Sequence, residues 1–204
     1  MPARRLAVCV VLSALSLWAQ EPVPSESVKP DNRVEVPDLP KTVAADNSKA
    51  EVAKAAVAIV LAAYDVKCEL NSQVNSVIDD RTASSLRSLS GKVEGATCEQ
   101  DGHLLKLTST FVANTAIQAD ELIHALDEDN AMLIRWKGDL YVLWGALYDV
   151  RIYSDGRRFN IIRELLLIDP RYSDERRFVS YKRDKATFAD IEGVAFVGVA
   201  EPGH

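Results

Sequence analysis

The residues best suited to hold a ligand lie in the C-terminal half, where Asp149, Arg151 and Tyr153 precede an Asp155-Gly156 pair and Arg158 and Asn160 follow it. An Asp-Gly loop between strand-like runs signals a two-residue hairpin. That hairpin would set Ile152 opposite Phe159 and Val150 opposite Ile161 on a core face. Asp149, Arg151, Tyr153, Arg158 and Asn160 then share the opposite face, where guanidinium, carboxylate, amide and phenol groups together suit a carboxylate or a sugar. A solvated sheet face gives the same pattern, with cross-strand pairs contributing only a few tenths of a kcal/mol each. Arg163 differs, because the same register sets it opposite Tyr148 on the apolar face. It needs either an acid from elsewhere or a route to solvent, and it is a candidate to line a pocket.

His124 has Asp120 and Glu121 before it and Asp127 and Glu128 after it, all at helical neighbour spacing. One histidine among acids on an exposed helix lacks the converging ligands of a metal centre, so no metal and no cofactor is expected. His103 and His204 have no evident catalytic partner. Gly-x-Ser-x-Gly, a phosphate-binding glycine loop and His-Glu-x-x-His are all missing from the sequence. The well-marked hydrolase, nucleotide and zincin classes lose ground accordingly.

The chain carries a formal net charge of −6. Nucleic acid and anionic membrane reward clustered Lys and Arg, so neither is expected as a partner. Arg157-Arg158, Arg176-Arg177 and Lys182-Arg183 are local exceptions that alternate with apolar residues, as on the wet face of a sheet.

The start of the chain reads as an export signal. Arg4 and Arg5 precede an uncharged apolar run from Leu6 to Ala19, and a small residue ends it. A membrane-spanning helix takes about 20 apolar residues, so the run is short for an anchor. Cleavage after Ala19 leaves Gln20 first, and no stable membrane anchor is expected afterwards. Leu6 directly after the arginines argues against a twin-arginine signal, and Cys9 sits too early in the run for lipid attachment. Export means the periplasm in a cell with an outer membrane, and secretion otherwise. Removing residues 1–19 takes away Cys9 and leaves Cys68 and Cys98, an even count that an oxidising compartment joins.

The elements that position these residues follow from composition and period. Residues 20–46 hold Pro22, Pro24, Pro30, Pro37 and Pro40 among polar residues, the composition of a disordered tether. A single domain is expected over 47–200. Ser48 with Glu51 has capping-box spacing and opens a helix over 49–64 that is apolar round most of its circumference. Val74–Leu89 reads as short helix and loop. Lys92–Cys98 and His103–Phe111 form a hairpin about Glu99-Gln100-Asp101-Gly102, and Ile117–Asp129 form a second helix.

Met132–Trp136 and Leu140–Ile152 are strands. Keeping their apolar sets together calls for a three-residue loop, Lys137-Gly138-Asp139, with Trp136 opposite Leu140. A return strand runs through Leu165–Ile168 to the Asp169-Pro170 stop. Arg177–Lys182 and Val194–Val199 follow, and the last, apolar on both faces, suits a central position.

The expected fold is therefore α+β: a curved antiparallel sheet of about five to seven strands packed against an N-terminal helix and a second mid-chain helix. The expected function is that of an exported soluble, non-enzymatic binding or interaction domain with a protein or small-molecule partner. The alternative is a small-ligand carrier or enzyme with its pocket in a cone-shaped sheet, using Arg163, Tyr148 and Asp149.

Overall fold

The computed structural model describes residues 32–69, 71–152, 154–172, 176–180 and 190–200, the stretch 176–180 by its backbone alone. The expected signal peptide (1–19), residues 20–31 of the expected tether, Tyr153, His204, and the Lys182-Arg183 pair lie outside them.

Ser48 starts the first helix as its sequence predicts. Its hydroxyl accepts from the Glu51 amide at 3.3 Å and opens α1 (Lys49–Ala62). The reciprocal half of the capping box is replaced. Asp46 accepts from the Ser48 amide at 2.7 Å, while the Glu51 carboxylate turns to Lys54 Nζ, also at 2.7 Å. Val52, Ala53, Ala56, Val57, Ile59, Val60 and Leu61 are buried, because the helix packs against sheet strands and against the 3-10 turn Thr82–Ser84.

The strands are β1 (Asn32–Glu35), β2 (Thr97–Gln100), β3 (His103–Ala113), β4 (Met132–Trp136), β5 (Asp139–Ile152), β6 (Arg158–Ile168), β7 (Arg176–Ser180) and β8 (Ile191–Val199). The fold is α+β, and its antiparallel path runs β2-β3-β8-β4-β5-β6-β7, with β1 paired to β5 off this path. The sheet is not closed. The last strand is central, as its two apolar faces suggest. The other helices are α2 (Gln73–Val77), α3 (Leu86–Val93) and α4 (Ala119–Asp127). α1 meets β4, β5 and β8, α3 meets β3, β4 and β8, and α4 meets β1, β5 and β6. No helix among the described residues is long and apolar enough to cross a membrane.

Cys68 and Cys98 stand at disulfide distance, with sulfurs 2.14 Å and Cα atoms 5.1 Å apart. They tie the segment after α1 to β2, where the Glu69 amide also donates to Glu99 O at 2.8 Å.

Three expectations need correction. The expected tether 20–46 belongs to the fold from Asn32 onward: β1 pairs with Gly145–Tyr148, and Val34, Val36 and Leu39 are buried. Prolines mask this short strand because its apolar positions fall between them. The strand expected from Lys92 begins only at Thr97, since Lys92 and Val93 complete α3 and Gly95, at φ 74°, turns the chain.

The third correction is the β4–β5 register. Trp136 faces Asp139, Arg135 faces Leu140 and Ile134 faces Tyr141, so the loop is the two residues Lys137-Gly138. Both have positive φ, 49° and 88°, the pair of left-handed conformations that closes a two-residue turn between right-twisted strands. Face continuity misleads here because β4 is buried on both faces. Arg135 itself is inside: it donates to Ala83 O and to Gly138 O, the latter at 2.6 Å, and its Nε lies 3.2 Å from Glu192 Oε2. Burial lowers its pKa and the Glu192 carboxylate opposes that.

Candidate functional site

β5 is longer than its neighbours. β4 covers Asp139–Leu143 and β1 covers Gly145–Tyr148, so among the described residues 149–152 have β6 alone beside them. On the far side β7 covers Glu164–Ile168, so among the described residues 158–163 pair with β5 alone. The result is a two-stranded ribbon that extends past the layered core. Burial follows this outline: Leu140–Ala146 are buried, Leu147–Arg151 are half-buried, and Ile152, Arg158 and Phe159 are exposed. α4 supports the ribbon, and Asp120 Oδ1 lies 3.4 Å from the Asn160 amide.

The observed register redistributes the candidate residues. Ile152 pairs with Arg158, Arg151 with Phe159, Val150 with Asn160 and Asp149 with Ile161. Directly paired residues point to the same side of a sheet. Asp149 and Arg151 therefore share a face with Phe159 and Ile161, whereas Arg158 and Asn160 share the other with Val150 and Ile152. The expected five-residue stripe does not form. Its Asp155-Gly156 connection sets Ile152 against Arg158 where a two-residue loop would set it against Phe159, and that shift of one residue changes which side chains face each other. Asp155 shapes the loop, accepting from the Arg157 amide at 3.0 Å and from Arg157 Nε at 2.6 Å. Those bonds hold its carboxyl below the usual carboxylate range.

Arg163 is not opposite Tyr148. A register shift between Leu147 and Tyr148 sets Tyr148 against Ile162 and Leu147 against Glu164, and Arg163 is the extra residue. The bulge aims it at Asp149, to which its Nε donates at 2.6 Å, with the side chains 39% and 17% exposed. Sequence reasoning named both residues and the need for an acid, but placed them on opposite faces. Asp149 Oδ1 and Asn160 Oδ1 are buried and accept no hydrogen bond among the described residues.

Each face of the ribbon's end thus carries an arginine beside an apolar side chain. Arg151 lies across from Phe159, 44% exposed, whose ring also has the Arg157 guanidinium 5.9 Å from its centre. Arg158 lies across from Ile152, 73% exposed. Neither Arg151 nor Arg158 has an acidic partner among the described residues.

The remaining candidates do not converge. His124 is exposed with Glu128 Oε1 3.5 Å away, His103 is exposed, and no metal-holding group of His, Cys, Asp and Glu occurs among the described residues. A cleft of about 360 Å³ lies between α1 and residues 42–45, lined by Val43, Ala55, Ala58, Leu61, Cys68 and Val74 and by the mutually paired Glu51 and Lys54. A second, of about 610 Å³, is lined by Asp79, Arg81, Thr82, Ser88, Gly91 and Lys92. There the Asp79 carboxylate is held by Thr82, whose amide donates at 2.6 Å, and its pKa is lowered. Neither cleft is lined by Tyr148, Asp149 or Arg163.

One polar assembly escapes the sequence. Glu192 accepts from Ser85 Oγ at 3.1 Å and from the Leu86 amide at 2.9 Å, so the Arg135–Glu192 pair ties the start of α3 to the centre of the sheet. Its only signal is an arginine inside an apolar strand. Compared with family models, curated proteins and solved structures, the chain matches none.

Proposed function

We propose that the chain is an exported, non-enzymatic binding domain that presents the distal β5–β6 ribbon to a partner. The observation that carries the reading is the pairing of exposed Ile152 and half-exposed Phe159 with Arg151, Arg157 and Arg158 at the ribbon's end. Aromatic and arginine side chains are enriched at protein interfaces, where an apolar centre is ringed by polar groups. The Arg163–Asp149 pair stiffens the base of the ribbon and limits the ordering cost of binding.

Export belongs to the same reading. It rests on the charged start, apolar run and small terminal residue of the leader, and on a cysteine pair suited to an oxidising compartment. Mass spectrometry of the exported form is expected to find Gln20 at the N-terminus and a mass two hydrogens below that of the dithiol. A retained leader or free thiols would contradict it.

A photoreactive amino acid at position 152 tests the surface, with position 104 as control, since Leu104 is comparably exposed at 70% but sits on the β2–β3 hairpin. The expected result is a discrete covalent adduct from 152 and none from 104. Equal labelling at both positions, or none, would overturn the assignment.

A further inference from the structure

The ribbon's basic end and the acidic outer face of α4 complement one another in charge, and they lie on adjoining elements. We infer that two copies of this chain pair through this surface, the ribbon of each docking on α4 of the other. The inference rests on the reading of the ribbon as a binding surface and names its occupant.

Four observations carry it. Arg151 on one face of the ribbon's end and Arg158 on the other have no acidic partner among the described residues, so the tip offers a guanidinium to either side although a chain of net charge −6 offers many acids. Glu121 and Asp127 on α4 and Glu128 at its C-cap are exposed and engage no arginine among the described residues; Glu128 lies 3.5 Å from His124. α4 packs on β5 and β6, with Asp120 beside the Asn160 amide, which sets the start of the acidic helix against the ribbon. Ile152, at 73% exposure, supplies an apolar centre for the contact. A surface with adjacent positive and negative areas is self-complementary about a two-fold axis: each area meets the other twice, and the assembly closes at two copies. The acidic remainder of the surface opposes other modes of association.

The test is a charge exchange read by analytical ultracentrifugation of the mature chain. The wild-type protein is expected to sediment as a dimer that weakens as salt rises, because screening shortens from about 10 Å at 0.1 M to about 3 Å at 1 M ionic strength. One variant carries Arg151→Glu with Arg158→Glu, the other Glu121→Lys with Glu128→Lys. Each alone is expected to dissociate at least about tenfold more readily. Their equimolar mixture is expected to restore a heterodimer, because one contact is then exchanged and the other is native.

A wild-type chain that stays monomeric at every concentration would overturn the pairing, and so would a mixture no tighter than its components. The salt series uses the unaltered protein and decides the matter even where a variant does not fold. A monomeric wild type that crosslinks from position 152 to a different protein would overturn the pairing and leave the binding surface standing.

Discussion

The two halves of the β5–β6 hairpin are one continuous pair of strands in different surroundings. In the proximal half, Val142 and Leu143 face Ile168 and Leu167, all four are buried, and β4 and β7 flank the pair. In the distal half, Arg151 and Ile152 face Phe159 and Arg158 with no flanking strand among the described residues. The shift between Leu147 and Tyr148 separates them and turns Arg163 toward Asp149. The proximal pair is bonded to a further strand on each outer edge, and the distal pair to none among the described residues. The apolar area removed from water differs as well, and that term dominates stability.

Substitutions along the pair should therefore grade from large to small. Leu143→Ala empties a fully buried site and is expected to destabilise by about 2–5 kcal/mol in denaturant unfolding. Removing the covalent tie with Cys68→Ala and Cys98→Ala, across a separation of 30 residues, is expected to cost about 3–4 kcal/mol and to lower the melting temperature. Gly145→Ala strikes the β1 contact, because its Cβ would stand 2.7 Å from Val34 O and 2.8 Å from Leu166 Cδ1. A loss of about 1–3 kcal/mol is expected there, read by the same unfolding curve.

In the distal half the effects shrink. Arg163→Met leaves the Asp149 carboxylate, 17% exposed, without its donor, and a loss of about 1–2 kcal/mol is expected in the same assay. Ile152→Ser is expected to change stability by no more than about 0.5 kcal/mol in the same assay. A large loss of stability from Ile152→Ser would break the comparison, and a small one from Leu143→Ala would break it from the other side.

The contrast also explains what the sequence made legible. α1, the cysteine pair and the central placement of β8 follow from a cap, an even cysteine count and an all-apolar strand, all local signals. Register does not. β4 and proximal β5 are buried on both faces, so alternation carries no parity there, and a left-handed Lys137 is not visible in composition. In the distal half alternation exists, yet Ile152 pairs with Arg158 and not with Phe159, and that one-residue shift at the loop divides the expected stripe between two faces. β1 was hidden for a different reason: Val34, Val36 and Leu39 are buried by a partner far away in sequence, and a proline-rich window holds no trace of that partner.

Amide hydrogen exchange along β5 of the mature chain tests the division most directly, since one strand serves as its own control. Amides of Tyr141–Leu143 are expected to exchange only through global unfolding, and those of Val150–Ile152 through local opening at far lower free energy, in the dilute protein. Equal protection from Tyr141 to Ile152 would contradict the account, because the ribbon's end would then belong to the core.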